Sequence, residues 1–327
     1  MGEFELLAQV RERLPPAGPR VRVGMGDDAA VTVPGGATAT SVDAIVDGVH
    51  FRREQASLRQ IGRKALATAL SDLAAMGAEP GEAYVVLGVP PDLDEDGCIE
   101  LVDGIAALAT ETGMTLAGGD VTRALALTVT MTVVGHAPSP ELLVTRAGAR
   151  PGDVLMLTGE IGGAAAGLLL LERPELETAV GAETAARLRA RQLEPRARLG
   201  AGRALARARA GAMIDLSDGL GGDARHLAEE SGALMRIEVG ALPLANGVAE
   251  IAAAAGRDPI QLALSGGEDY ELLAALPTER VGEAAAAVGG GAEAGLAQIG
   301  EVVAGEGVEI RLPGGRLLET EGFDQLR

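Results

Sequence analysis

Cysteine and lysine are nearly absent from this 327-residue chain, which holds one of each, Cys98 and Lys64. With a single cysteine no disulfide can form within the chain, which fits a reducing compartment, and Cys98 itself reads as inert packing. No apolar run approaches the roughly 20 residues that a membrane span requires. The opening stretch MGEFELLAQV also lacks the basic flank and apolar segment of a secretory signal, so a cytoplasmic protein is expected. The formal net charge is −19. Such an excess of acid argues against a nucleic-acid partner, because phosphate backbones are held by Lys and Arg surfaces. A small anionic ligand is compatible with it where metal ions mediate the contact.

The common nucleotide-binding signatures are missing too. No G-x-x-x-x-G-K-[ST] occurs, and Lys64 lies in a helical pattern with no glycine loop before it, which excludes a P-loop enzyme. The protein-kinase set of glycine loop, catalytic Asp and Asp-Phe-Gly is absent as well. The histidines His50, His136 and His226 are spaced unlike any zinc site. His136 and His226 read as structural, whereas His50, which follows Asp43 and Asp47 in a glycine-containing loop, reads equally well as a ligand or as structure.

What is present is a globular composition, 47% hydrophobic with 23% charged residues, long enough for two domains. Periodicity predicts strands at Thr38–Asp43 and Ala83–Val89, helices at Ser57–Met76 and Asp96–Thr112, and a half-buried antiparallel strand at Leu125–Val134, where Thr alternates with apolar residues. Ala137–Pro151 is the predicted linker, giving domains at 1–137 and 151–327 around a linker at 138–150. Beyond it a second α/β unit is expected. It comprises a strand at Asp153–Thr158, a glycine loop at Gly159–Gly163, a helix from Ala164, and a basic helix around Ala185–Arg209. A strand then runs into Asp215, followed by a helix at Gly219–Ser231, a strand at Tyr270–Leu276 and a β-rich tail. Ala249–Ala255 and Glu283–Ala297 read as helix or loop. The glycine loop serves either close strand–helix packing or phosphate contact.

Carboxylates recur beside glycines and small residues: Asp27 and Asp28 in GMGDDAAV, Asp43 in SVDAIVDGVHF, Asp72 in LSDLAAMGA, Asp120 in AGGDVTR, Asp215 and Asp218 in IDLSDGLGGD, and Glu268 and Asp269 in LSGGEDYEL. Singly, each could be a turn or a helix cap. Asp72 resists that reading. At roughly 100° per residue it falls on the same helix face as Ile61, Ala65, Ala69 and Met76. A carboxylate on an apolar face needs a cation, a metal ion or strong hydrogen bonds. Asp215 closes an apolar stretch at a predicted strand end, where α/β folds place ligands, and Ser217 beside it could cap a helix or bind a phosphate oxygen. Oxygen donors on this scale suit Mg²⁺, which takes few carboxylates per ion and bridges phosphates, so several ions are expected.

Taken in order, the motifs GEFELLAQV, GMGDDAAV, SVDAIVDGVHF, ALATALSDLAAMGAEP, LAGGDVTR, VTRAGARPGD, IDLSDGL, ALSGGEDYEL and GFDQL resemble the thiamine-monophosphate kinase family, part of the superfamily named for aminoimidazole ribonucleotide synthetase. The resemblance covers nearly the whole chain, and the SGGEDYEL stretch and GEF start are its most particular elements. It implies a two-domain α/β fold, with an N-terminal mixed sheet that forms a barrel across a homodimer and binds ATP and metal, and a C-terminal α/β domain. The implied activity is ATP-dependent phosphorylation of thiamine monophosphate to thiamine diphosphate. Asp28, Ser41, Val42, Asp43, Asp72, Asp120, Asp215 and Asp218 would hold Mg²⁺. Gly119, Asp120, Arg146 and Ser217 would contact ATP or its metals, and His50, Glu268 and Phe323 would line the thiamine phosphate site. Val42 stands where the family commonly has Thr, and the tail lacks the usual Trp and His around Phe323. Another ATP-dependent enzyme of the superfamily is the runner-up, with SGGEDY as the discriminating motif; a non-catalytic binding protein would lack some of these acids.

Overall fold

The computed structural model describes residues 3–24, 29–289 and 295–318. The chain divides into two compact units, Met1–Leu73 with Ala78–Pro140, and Ala74–Gly77 with Glu141–Arg327.

In the first unit, α1 (Glu3–Arg13) and the antiparallel pair β1 (Val21–Val23) and β2 (Val31–Thr32) precede the main sheet. There follow β3 (Ala37–Val46), α2 (Leu58–Ala75), β4 (Glu79–Val89), α3 (Glu95–Thr112), β5 (Thr115–Arg123) and β6 (Thr128–Ala137). α3 starts where the Asp94 side chain accepts the Gly97 N–H at 2.9 Å, and ends at Gly113 in the left-handed region. The sheet order is β3-β6-β4-β5, with β4 and β5 parallel and the other pairs antiparallel. On β6 the half-exposed Thr128, Thr130 and Thr132 alternate with the buried Val129, Met131 and Val133, as a sheet with one covered face requires.

That strand begins three residues later than its Thr alternation suggests. β5 and β6 flank β4 on opposite sides, so the chain must pass over the end of β4 before it can re-enter the ladder. Residues 124–127 make the passage, tied by the Ala124 N–H to the Val89 carbonyl and by the Asp47 N–H to the Leu127 carbonyl, with Leu125 fully exposed. β4 itself begins at Glu79 rather than Ala83, and an irregularity between Pro80 and Glu82 accommodates a proline that has no N–H to give.

The second unit contains β7 (Val154–Thr158), α4 (Gly163–Glu172), α5 (Ala182–Leu193), α6 (Leu199–Arg207), β8 (Ala212–Asp215), α7 (Leu220–Ser231) and β9 (Leu234–Glu238). It continues with α8 (Val248–Ala255), α9 (Pro259–Ser265), β10 (Leu272–Leu276), α10 (Val281–Gly289), β11 (Leu296–Val303), β12 (Gly307–Arg311) and β13 (Leu317–Leu318). The seven-stranded sheet runs β13-β12-β9-β11-β7-β10-β8 and is mixed, β12 and β9 being parallel. Every residue of β7, β10 and β8 is buried, which explains why these strands read as continuous apolar runs without alternation. Leu155, Leu157 and Ile214 join Leu220 and Leu227 of α7 in one core, while Leu169, Leu170, Leu188, Val248 and Ile251 form another among the helices α4, α5 and α8.

Two expectations are corrected here. The basic helix around Ala185–Arg209 is two helices, α5 and α6, because Pro195 in the intervening segment cannot continue the ladder of helical hydrogen bonds. The Glu283–Ala297 stretch is not helix or loop throughout, since Leu296 and Ala297 open β11, paired with β7. No helix among the described residues is long and apolar enough to cross a membrane.

Candidate active site

In the first unit β3 and α2 bring Ser41, Asp43 and Asp72 together. The Ser41 hydroxyl donates to the Asp72 carboxylate, so the awkward charge on the apolar face of α2 has the strong hydrogen bond it needed. Burial, reinforced by the charge of Asp72, pushes the Asp43 carboxyl up to about 6. Asp43 lies opposite Met131, which lies opposite Val85 and then Gly119, and this row points to the covered face of the sheet. Gly119 is required there by close approach, since a Cβ would lie 2.2 Å from the Val85 carbonyl oxygen.

Asp120 belongs to the adjacent row with Val86, Thr130 and Ala44, so it projects from the opposite, open face. Val42 points the same way and is 62% exposed. His50 follows β3, with its Nδ1 accepting the Val46 N–H at 3.2 Å and its carbonyl held by the Nζ of the buried Lys64 at 3.3 Å. With Nδ1 accepting, Nε2 carries the proton of the neutral ring. Cys98 is buried, and its thiol is pushed up by burial, with Asp94 and Glu95 adding to the effect, as inert packing requires.

In the second unit the glycine loop, the 215–218 segment and the 266–271 segment meet at one edge of the sheet. The antiparallel pairing of β10 with both β7 and β8 brings the ends of β7 and β8 beside the start of β10. The Glu268 N–H then bonds the Ser217 carbonyl and the Tyr270 N–H the Leu216 carbonyl, each at 2.9 Å. Asp215 is buried at the end of β8, and Ser217 and Asp218 are half-buried in the loop before α7. The Asp218 N–H donates to Asp223 at 3.1 Å. Burial and the charges of Asp215 and Asp218 push the Asp223 carboxyl up to about 8, against the opposing effects of the Asp218 N–H and the Arg146 guanidinium. The Gln192 amide donates to the Glu268 carboxylate. The two Leu-Ser-Asp triplets occupy different contexts, one inside α2 and the other in the β8–α7 loop.

Below this edge lies a pair of buried charges that the motifs do not reveal. Glu271, fully buried, accepts from Arg198 through both carboxylate oxygens and from the Thr158 hydroxyl at 2.7 Å. Gly159 must be glycine for this: its φ is +57°, and a Cβ would lie 2.1 Å from Oε1 of Glu271. Asp223, a further buried acid of this cluster, carries the same sequence signal as Asp72, a carboxylate on the helix face shared by Leu220 and Leu227. Asp27, Asp28 and Phe323 lie outside the described residues.

The donors gathered in each unit are carboxylate and hydroxyl oxygens, hard ligands suited to Mg²⁺. In each unit neighbouring carboxylates add to the raised proton affinity of one acid, Asp72 acting on Asp43 and Asp215 and Asp218 on Asp223, a repulsion that a cation would relieve. Among the described residues, no group of three His, Cys, Asp or Glu side chains forms a ready metal site by itself.

These features define an α/β protein with acid-lined clusters on two units, and the class is recognisable. The model of the AIR synthase related protein N-terminal domain matches residues 26–137, and that of the C-terminal domain matches residues 150–313. The thiamine-monophosphate kinase of Mycobacterium tuberculosis is 39% identical over 279 residues, 84% of this chain and 80% of that one. The crystal structure of thiamine-monophosphate kinase from Stenotrophomonas maltophilia K279a superimposes with a TM-score of 0.84 at 32% identity, covering 95% of this chain and 96% of that one. A structure of AaThiL complexed with AMPPCP and TMP does so with a TM-score of 0.77 at 31% identity, covering 98% and 96%. The chain belongs to the thiamine-monophosphate kinase family of AIR synthase related proteins.

Proposed function

We propose that this protein transfers the γ-phosphoryl group of ATP to thiamine monophosphate, giving thiamine diphosphate and ADP, the final step in making thiamine diphosphate. The observation that carries the reading is the meeting of the Gly159–Gly163 loop, Asp215–Asp218 and the SGGEDYEL segment at one sheet edge, in a chain whose relatives at 39% identity are thiamine-monophosphate kinases. The acceptor is a phosphate monoester with a second pKa of about 6, so its oxygen is already largely ionised at neutral pH. No general base is needed, and transfer is a matter of positioning two anions and offsetting their charge. The γ-phosphorus bond to the ADP oxygen breaks as the bond to the acceptor oxygen forms, in line and without a phosphoenzyme.

In this reading Asp28, Ser41, Val42, Asp43, Asp72, Asp120, Asp215 and Asp218 hold several magnesium ions, Val42 through its backbone. The chemistry those ions supply when bound is neutralisation of the phosphate charge. Gly119, Asp120, Arg146 and Ser217 contact ATP, and His50, Glu268 and Phe323 contact thiamine monophosphate, His50 by offering its Nε2–H to the phosphate. Residues 1–137 form the ATP-binding and dimerisation domain, 138–150 a linker and 151–327 the second domain of a cytoplasmic enzyme. The edge strand β3, ten residues long, supports pairing of two first units into a barrel; sedimentation equilibrium at one protomer mass would count against that. Incubation with ATP, Mg²⁺ and thiamine monophosphate is expected to release ADP and thiamine diphosphate together, and folded protein that yields neither would refute the activity.

A further inference from the structure

The turn that carries Glu268 is held in an unusual backbone conformation. Glu268 and Tyr270 both have positive φ, 65° and 50°, the left-handed region that residues with a Cβ seldom adopt. Backbone hydrogen bonds from these two residues tie the turn to Ser217 and Leu216 on one side. The tie on the other side is the side chain between them. The Asp269 carboxylate accepts the Gly162 N–H at 2.6 Å and the Ala164 N–H at 3.0 Å, which are amides of the glycine loop at the start of α4.

Gly162, the residue at the cap position of α4, has no side chain with which to satisfy these amides. Asp269 therefore caps α4 from more than a hundred residues away, its two side-chain oxygens each accepting one of these N–H groups. The same contact answers what the glycine loop does: these two amides are occupied by an internal carboxylate and are not presented to a phosphate.

We infer that Asp269 is a positioning residue for substrate binding: its carboxylate, seated on the Gly162 and Ala164 amides, locks the 266–270 turn and so fixes where Glu268 projects. The effect on substrate rests on the reading of Glu268 as a thiamine monophosphate contact; the lock itself does not. Asp269 lies between the motif's two outward contacts, Glu268 to Gln192 and Glu271 to Arg198, so loss of the anchor frees the turn between them.

Two measurements separate the lock from its consequence. Hydrogen exchange at the Glu268 and Tyr270 amides is expected to accelerate in Asp269→Ala, and to a smaller extent in Asp269→Asn, whose amide oxygen can still accept one of the two N–H groups. Unchanged exchange in both folded variants would overturn the lock. In steady-state kinetics, Asp269→Ala is expected to raise KM for thiamine monophosphate by about tenfold, the scale of effect expected when a contact group is displaced, with KM for ATP nearly unaltered. Adding Asp269→Ala to Glu268→Ala is expected to raise KM no further, because the first change acts through the second residue. Full additivity would overturn the positioning role and leave only a structural cap. If Glu268→Ala alone left KM for thiamine monophosphate unchanged, the substrate role of Glu268 would fail, while the exchange result would still decide the lock.

Discussion

Replacing Arg198 with Met removes the cation that faces Glu271, a carboxylate with no solvent exposure. Arg198 donates from Nε at 2.7 Å and from a terminal nitrogen at 2.5 Å, and its own side chain is only 14% exposed. Breaking one side of such a pair leaves a charge that water cannot reach, at a cost of about 3–5 kcal/mol. For a unit of this size that corresponds to a fall in Tm on the order of 10 °C. The second replacement, Glu271→Gln in the Arg198→Met background, removes both charges while keeping an acceptor for the Thr158 hydroxyl, and is expected to recover more than half of the loss. Urea unfolding followed by circular dichroism measures both. A loss below about 1 kcal/mol in Arg198→Met, the worth of an exposed ion pair, would refute the assignment of a buried pair beneath the site.

Asp72→Asn and Asp218→Asn are each expected to lower kcat by about 10²-fold or more and to shift the Mg²⁺ dependence to higher concentration, because in the proposed function each removes a charge that would hold Mg²⁺, an ion worth several kcal/mol to transfer when bound. Near-normal turnover in a folded variant would remove that residue from the metal set. Burial pushes the Asp269 carboxyl up to about 7, against the opposing effects of the Gly162 and Ala164 amides and the Arg191 guanidinium and with the Glu271 charge adding to it. A raised folded-state pKa means stability that is fully present below the unfolded value of 3.8 and is lost as pH rises through about 7. The stability difference between the wild type and Asp269→Asn, measured by urea unfolding at several pH values, is expected to fall over that window; a flat difference would contradict the enclosed carboxylate.

Much of this arrangement was legible before any coordinates. The alternation of Thr with apolar residues announced the half-buried β6, and the continuous apolar runs announced β7, β8 and β10, because burial on one face or two leaves different periods in a strand. Asp72 was singled out by helical geometry alone. Elsewhere topology overrules the local pattern. Leu125–Leu127 fits the alternation of β6, yet the passage over β4 takes those residues out of the ladder. Pro195 stood in plain view as the break between α5 and α6.

The sequence by itself determined the family: its order of motifs, from GEFELLAQV to ALSGGEDYEL, together with its lack of a P-loop lysine, points to the thiamine-monophosphate kinases. Those properties are carried by residue type and spacing, which need no third dimension. Only the tertiary structure decided which acids face which. It put Asp43 beside Asp72 and turned Asp120 to the other face of the same sheet, because neighbouring rows of a pleated sheet point in opposite directions. It also filled the glycine-loop amides with Asp269 and placed Arg198 against Glu271. Such contacts join residues seventy to more than a hundred positions apart, and nothing in a local pattern records which distant carboxylate a helix end or a buried guanidinium will find.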